Sequence, residues 1–198
     1  ALNHKDDLGE LGLLSESIEL HEGLSVGAVW CVSQVARELG IEEALGKDFQ
    51  GKLAMWQVIA RVVDQGSRLS GVRLSQVHAV SGVLDMKRGF DENDLFGNLA
   101  WLAENQGKIE QKLFESRRGE KKPKLFLYDV TSSYLEGEQN HFGKYGYNRD
   151  GKKGKKQIVI GLLCDEDGEA VSAEVFFGNT QDTQTFAPQV RKIAERFG

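Results

Sequence analysis

Asp129 closes an apolar run, Leu125-Phe126-Leu127-Tyr128, that is entered through Pro123 and followed by Val130-Thr131-Ser132-Ser133-Tyr134. An unbroken apolar run predicts a strand buried on both faces, here with a carboxylate at its tip. A rigid sheet can hold such an acid at the edge of solvent, where it can ligate a hard divalent cation. The same residues also allow a plainer role, in which Asp129 caps a turn and residues 131–133 are loop.

Further along, Lys144-Tyr145-Gly146-Tyr147-Asn148-Arg149 leads into Lys152, Lys153, Lys155 and Lys156. Lysine and arginine neutralise phosphates without reading bases, and glycine lets a backbone come close. Tyr145 and Tyr147 are suited to stacking on an unpaired base. The alternative is a solvated basic hairpin that guards a strand edge. Because the run follows the candidate metal acid directly, DNA contact is the preferred reading. Glu136, Glu138 and Asp150 read as ordinary loop charge. Cys31 and Cys164 are far apart in apolar surroundings and read as two reduced thiols. His4, His21, His78 and His141 form no ligand spacing.

Three blocks carry a further signal: Tyr128-Asp129-Val130-Thr131-Ser132-Ser133-Tyr134, then Gly146 to Gln157, then Gly178-Asn179-Thr180-Gln181-Asp182-Thr183. Together they resemble bacterial insertion-sequence transposases of the DDE type, whose catalytic domain has a ribonuclease H-like fold. The resemblance is close over residues 119–198 and loose over the preceding helical part. It implies metal-dependent phosphodiester cleavage and strand transfer at insertion-sequence ends. That chemistry uses two Mg²⁺ (or Mn²⁺) ions roughly 3.5–4 Å apart. Asp129 matches the first of the family's three acids and is expected as catalytic residue and metal ligand. Asp182 falls in the block between the third strand and the helix and is expected to support the site. The second Asp and the Glu are expected on elements after Gly198, so the chain reads as the N-terminal portion of a transposase, inactive alone. The missing initiator Met points the same way, to a trimmed or internal fragment. The alternative is a non-catalytic DNA-binding protein, such as a regulatory truncated transposase.

Composition fits both readings. Apolar residues make up 40% and charged residues 28% of 198, as in a soluble globular protein, and no apolar run reaches membrane-spanning length. A cytoplasmic location is expected. The net charge of −5 would argue against nucleic acid if it were evenly spread. Residues 1–50 instead hold ten acids against three bases, and residues 117–157 hold eleven bases against five acids. That asymmetry predicts a basic working face on an acidic molecule.

The expected fold class is α+β: an N-terminal helical bundle followed by the opening β-β-β-α of a ribonuclease H-like domain, truncated. Residues 1–23 read as an acidic lead-in, 24–118 as the helical domain and 119–198 as the first part of the catalytic domain. A helix over 26–39 is predicted, with Ala28, Val32, Val35 and Leu39 on its inner face. A second carries Trp56, Ile59, Ala60 and Val63, and a third spans 69–84. The fourth starts at Asp91 with a capping box to Asp94 and a Phe90–Leu95 staple. Its stripe of Leu95, Leu99, Leu102, Ile109 and Leu113, with Gln106 as the polar seat, predicts packing along another helix of the chain or of a homodimer partner. Arg61, Arg68, Arg73, Lys87 and Arg88 read as helix surface. Strands are predicted over 157–164 and 170–177, joined by a turn at residues 165–168. Pro188 places the N-cap of the last helix at Gln184 or Thr185.

Overall fold

In a computed structural model, residues 22–119, 124–147 and 154–197 are described, and the chain is α+β. Six helices come first: α1 (Gly27–Glu38), α2 (Ile41–Leu45), α3 (Phe49–Val63), α4 (Arg68–Val77), α5 (Val80–Val83) and α6 (Glu92–Arg118). Three strands follow, β1 (Phe126–Tyr134), β2 (Gln157–Asp165) and β3 (Ala170–Phe177). Last come α7 (Asp182–Lys192) and a π-helical turn (Ile193–Phe197).

Helix α3 is the axis of the bundle. Asp48 caps it by accepting from the Gly51 N–H at 2.8 Å. Leu53, Ala54, Met55, Trp56, Ile59 and Ala60 are all buried, so the expected inner face is correct but too narrow. A helix apolar nearly all round is one that neighbours enclose. Helix α1 corrects the sequence reading. Its seat is Val29, Ser33 and Ala36, while Val35 and Leu39 are 54% and 44% exposed. Small residues let α1 approach α3 closely, and Ser33 satisfies its hydroxyl on the Trp30 carbonyl at 2.8 Å. The predicted third helix is in fact two, α4 and α5. Residues 78 and 79 break it, because Ser25 pairs there: its N–H donates to the Val77 carbonyl and its carbonyl accepts from the Ala79 N–H, both at 2.9 Å.

Helix α6 begins as expected. Asp91 and Asp94 form a reciprocal capping box, and Arg88 grips Asp94 with two hydrogen bonds of 2.9 and 3.1 Å. Buried Asn98 ties α6 to α3: it accepts from Gln57 Nε2 at 2.8 Å and donates to the Gln50 carbonyl and Oε1. The second half of α6 packs along α2, where Gly40 lies beside Ser116, and also meets the sheet. Gln106 donates to the Ala173 carbonyl at 2.8 Å, and Glu110 accepts from the Ala173 N–H at 3.1 Å. Two side chains thus take the place of a neighbouring strand along the outer edge of β3.

The sheet is antiparallel with order β1-β2-β3. Two expectations change here. Asp129 lies mid-strand, opposite Leu162, because β1 continues through Tyr134. And β1 is an edge strand that alternates half-buried and exposed, not a strand buried on both faces. The reason is one-sided cover. Phe126 and Tyr128 face the layer formed by α7, the π-helical turn and Phe114 of α6, around buried Leu163, Val171 and Phe197. Leu127, Leu162 and Val175 look out from the other face. Gly161 permits the covered face to close, since a Cβ there would lie 2.4 Å from the Tyr128 hydroxyl. The hairpin turns at Gly168, whose φ of 81° suits glycine. Helix α7 starts at Asp182, earlier than Pro188 implied, because Gln181 and Gln184 cap each other across its first turn. Pro188 therefore sits inside the helix, where it cannot donate to the Gln184 carbonyl.

Arg118 locks the end of α6 onto the hairpin, pairing with Asp165 at 2.8 Å and with Glu166. The Arg118 hydrogen bond is the main reason the Glu166 carboxyl falls from 4.5 to about 2. A carboxyl lowered by folding stabilises above its unfolded pKa and loses that contribution as pH falls through the folded one. Stability should therefore fall as pH drops from about 4.5 toward about 2. Urea midpoints measured between about pH 5 and pH 3 are expected to decline less steeply in Arg118→Met than in the wild type. Equal slopes would remove Arg118 as the cause.

Candidate nucleic-acid interface

The segment after β1 folds back on the sheet instead of standing off as an independent hairpin. Lys144 and Gln157 form an antiparallel bridge, with N–H to carbonyl distances of 2.9 and 3.1 Å, and the Leu135 N–H donates to the Lys156 carbonyl. Gln157 is buried at the start of β2. Its Nε2 donates to the carbonyls of Gly178 at 2.9 Å and Tyr147 at 3.2 Å. Two glycines make this crossing feasible. A Cβ on Gly146 would lie 1.9 Å from the Gly178 carbonyl oxygen, and one on Gly178 would lie 1.9 Å from that of Gln157. His141, Phe142 and Phe177 pack beside it with ring centroids 5.2–5.3 Å apart.

The backbone at 142–147 is thus anchored, while two of its side chains are not. Tyr145 is 65% and Tyr147 84% exposed. Exposed rings on a pinned backbone suit stacking, because little loop entropy is lost when a base arrives. Lys144 extends toward the Phe177 ring, with Nζ 6.0 Å from its centroid. Lys155 pairs with Glu136, and Lys156 donates to the Glu138 carbonyl at 3.1 Å. Glu136, read as ordinary loop charge, is therefore the acid that orients Lys155, whereas Glu138 meets Lys156 through its backbone alone. Leu135, Tyr145, Gly154 and the two lysines border a hollow of about 170 Å³. Arg149, Lys152 and Lys153 lie outside the described residues.

Asp129 is exposed on the open face of the sheet, five residues before the end of β1. At ~3.3 Å per residue, its backbone stands about 17 Å from the end of β1, and the loop lies beyond that end. Asp182 begins α7 on the side of the sheet that carries Tyr128. Burial raises the Tyr128 phenol, and the charges of Glu174, Asp182 and Asp129 raise it further, so both acids lie within electrostatic reach of one ring. Among the described residues, no three His, Cys, Asp or Glu side chains gather into a metal-binding group. One exposed carboxylate does not fit a site for two Mg²⁺ ions, so no catalytic step follows from the described residues. Arg61, Arg73, Lys87 and Arg88 are exposed, as expected, Arg88 also lying 3.8 Å over the Phe49 ring, whereas Arg68 is half-buried.

The sequence reading overlooked Gln157, Gly178, Phe142 and Phe177 as builders of this interface. A partial signal was present, since the second and third motif blocks hold Gly146, Gln157 and Gly178, which meet here. Comparison with protein-family models, curated proteins and solved structures found no match.

The crossing generates a sharp expectation. Gly178→Ala should force the Lys144–Gln157 bridge apart and destabilise the fold by about 1–3 kcal/mol, as overpacking does. Hydrogen exchange is expected to quicken at the Gln157 and Lys144 amides. Unchanged exchange would mean that the loop is held elsewhere.

Proposed function

We propose that this chain is the DNA-holding portion of a DDE-type insertion-sequence transposase. The observation that carries the reading is the anchored loop at 142–147, which presents Tyr145 and Tyr147 beside Lys144, Lys155 and Lys156. A sheet end that offers exposed aromatic rings next to cations matches single-stranded or distorted DNA, with phosphates on the cations and bases on the rings. The three-strand antiparallel order followed by a helix is compatible with the opening of a ribonuclease H-like domain. In that reading Asp129 is the first metal-binding acid, Asp182 lends support, and further carboxylates complete a site for Mg²⁺ or Mn²⁺. Strand transfer then belongs to the complete catalytic core.

A second reading has its own support. Asp129 stands in mid-strand among apolar and hydroxyl neighbours, an arrangement that serves a non-catalytic DNA-binding protein equally well.

Binding to labelled single-stranded and duplex DNA across a salt series tests the shared claim. Tyr147→Ala should weaken single-strand binding by about 1–3 kcal/mol, the usual worth of one base–aromatic stack. Replacing Lys144, Lys155 and Lys156 with alanine should flatten the log–log salt slope on duplex by roughly 0.9 for each phosphate that is no longer neutralised. Wild-type affinity and slope in both variants would refute the interface. Asp129→Asn separates the two readings: Mg²⁺-dependent nicking by the complete core should vanish while DNA binding persists, whereas the non-catalytic protein shows no nicking to lose.

A further inference from the structure

The helical bundle carries a second cationic feature, remote in sequence from the tyrosine loop. Between the end of α3 at Val63 and the start of α4 at Arg68, the chain bends around a small hollow. Trp56, Gln57, Arg61, Ser67, Arg68 and Leu95 are among its walls. The space open to the centre of a water-sized sphere is about 10 Å³, enough for one oxygen atom.

Its walls are short of negative charge and of an acceptor. Trp56 is fully buried, and its indole N–H has no hydrogen-bond partner among the described residues. A buried donor left unmatched is costly, and an oxygen in the hollow that the indole lines is the simplest remedy. Among the described residues, neither Arg61 nor Arg68 pairs with a carboxylate. Arg61 Nη1 donates to the Gln65 carbonyl at 2.9 Å, and Arg68 Nη1 donates to Gln57 Oε1. Asp64, the one acid on the described rim, accepts from Ser70 Oγ at 2.9 Å and lies beyond salt-bridge distance of both guanidiniums. Burial, and then repulsion from Arg61, lowers the Arg68 pKa. The site is also preorganised. Gln57 is fixed by its bond to Asn98, so its Oε1 holds Arg68 in place. Ser67 caps α4, whose first-turn amides add positive potential.

We propose that this hollow is an anion site that takes one backbone phosphate of DNA. One phosphate oxygen fills the hollow beside Trp56, and Arg61 and Arg68 neutralise the charge. A water molecule could satisfy the indole but would leave two adjacent guanidiniums uncompensated. The inference rests on the DNA-binding reading above, and it places a second contact on the bundle.

The test uses the wild-type chain, an Arg61→Gln/Arg68→Gln double variant and the triple lysine variant, each titrated with duplex DNA across a salt series. The double variant is expected to lower the log–log slope by roughly 0.9, the share of one phosphate. In a ¹H–¹⁵N spectrum of the wild type, inorganic phosphate and duplex DNA should both move the Trp56 indole resonance and leave those of Trp30 and Trp101 in place. This second readout stands even where the double variant fails to fold. A double variant that matches wild type in affinity and slope, while the lysine variant does not, overturns the bundle site and leaves the loop reading intact. A Trp56 resonance unmoved by either ligand means that the hollow holds only water, which also overturns the proposal. A wild type that binds no DNA overturns both readings.

Discussion

Helix α6 is shared by two hydrophobic cores, and the arrangement of the chain depends on that sharing. At 27 residues it extends about 40 Å, longer than either core alone requires. Its first half is registered against α3 by the buried Asn98 cluster, where each amide group has a partner. Its second half is registered against the sheet by Gln106 and Glu110 on one residue of β3, and by Arg118 on the hairpin. Directional polar contacts at both ends leave the helix little freedom to slide, which apolar packing alone would permit. The bundle and the sheet are therefore held in one frame, and the cations of α3–α4 keep a defined position relative to the tyrosine loop.

The sheet is finished on one side and open on the other. Along β3, side chains of α6 occupy the edge, while β1 has no strand on its outer edge among the described residues. One face is covered by aromatic residues of α6, α7 and the π-helical turn, and the other shows Leu127, Leu162 and Val175. An unpaired edge beside an apolar face is a surface that favours association. Asp129 lies on this open face, so whatever covers the face also sets the environment of that carboxylate.

The tyrosine loop follows a different rule. Its position comes from backbone contacts that only glycine permits, at Gly146 and Gly178, and from the two amide hydrogen bonds of Gln157. Of its lysines, Lys155 is held by the Glu136 carboxylate and Lys156 by the backbone carbonyl of Glu138. Such pairing keeps exposed cations ordered at modest strength, because a surface ion pair is worth little in water and can exchange for a phosphate.

What could be read from the chain by itself was set by neighbours in sequence. The Asp91–Asp94 capping box, the turn at Gly168 and the strands on either side of it depend on residues a few positions apart, and the structure has them where expected. The buried face of α3 was legible because bulky residues recur at helical spacing. Tertiary structure decided the rest. Helix α1 turned its small residues inward because α3 lies close, and the third helix broke where Ser25 enters from a distant part of the chain. Helix α7 began ahead of Pro188 because a mutual glutamine cap outweighed the helix penalty of proline. Asp129 showed the same limit most plainly. An apolar run ending in an acid specifies a strand, but whether that strand is central or at an edge, and whether the acid sits at its tip or its middle, depends on which strands pair with it. That choice is made by contacts between residues more than thirty positions apart, such as Asp129 with Leu162, and local pattern carries no record of them.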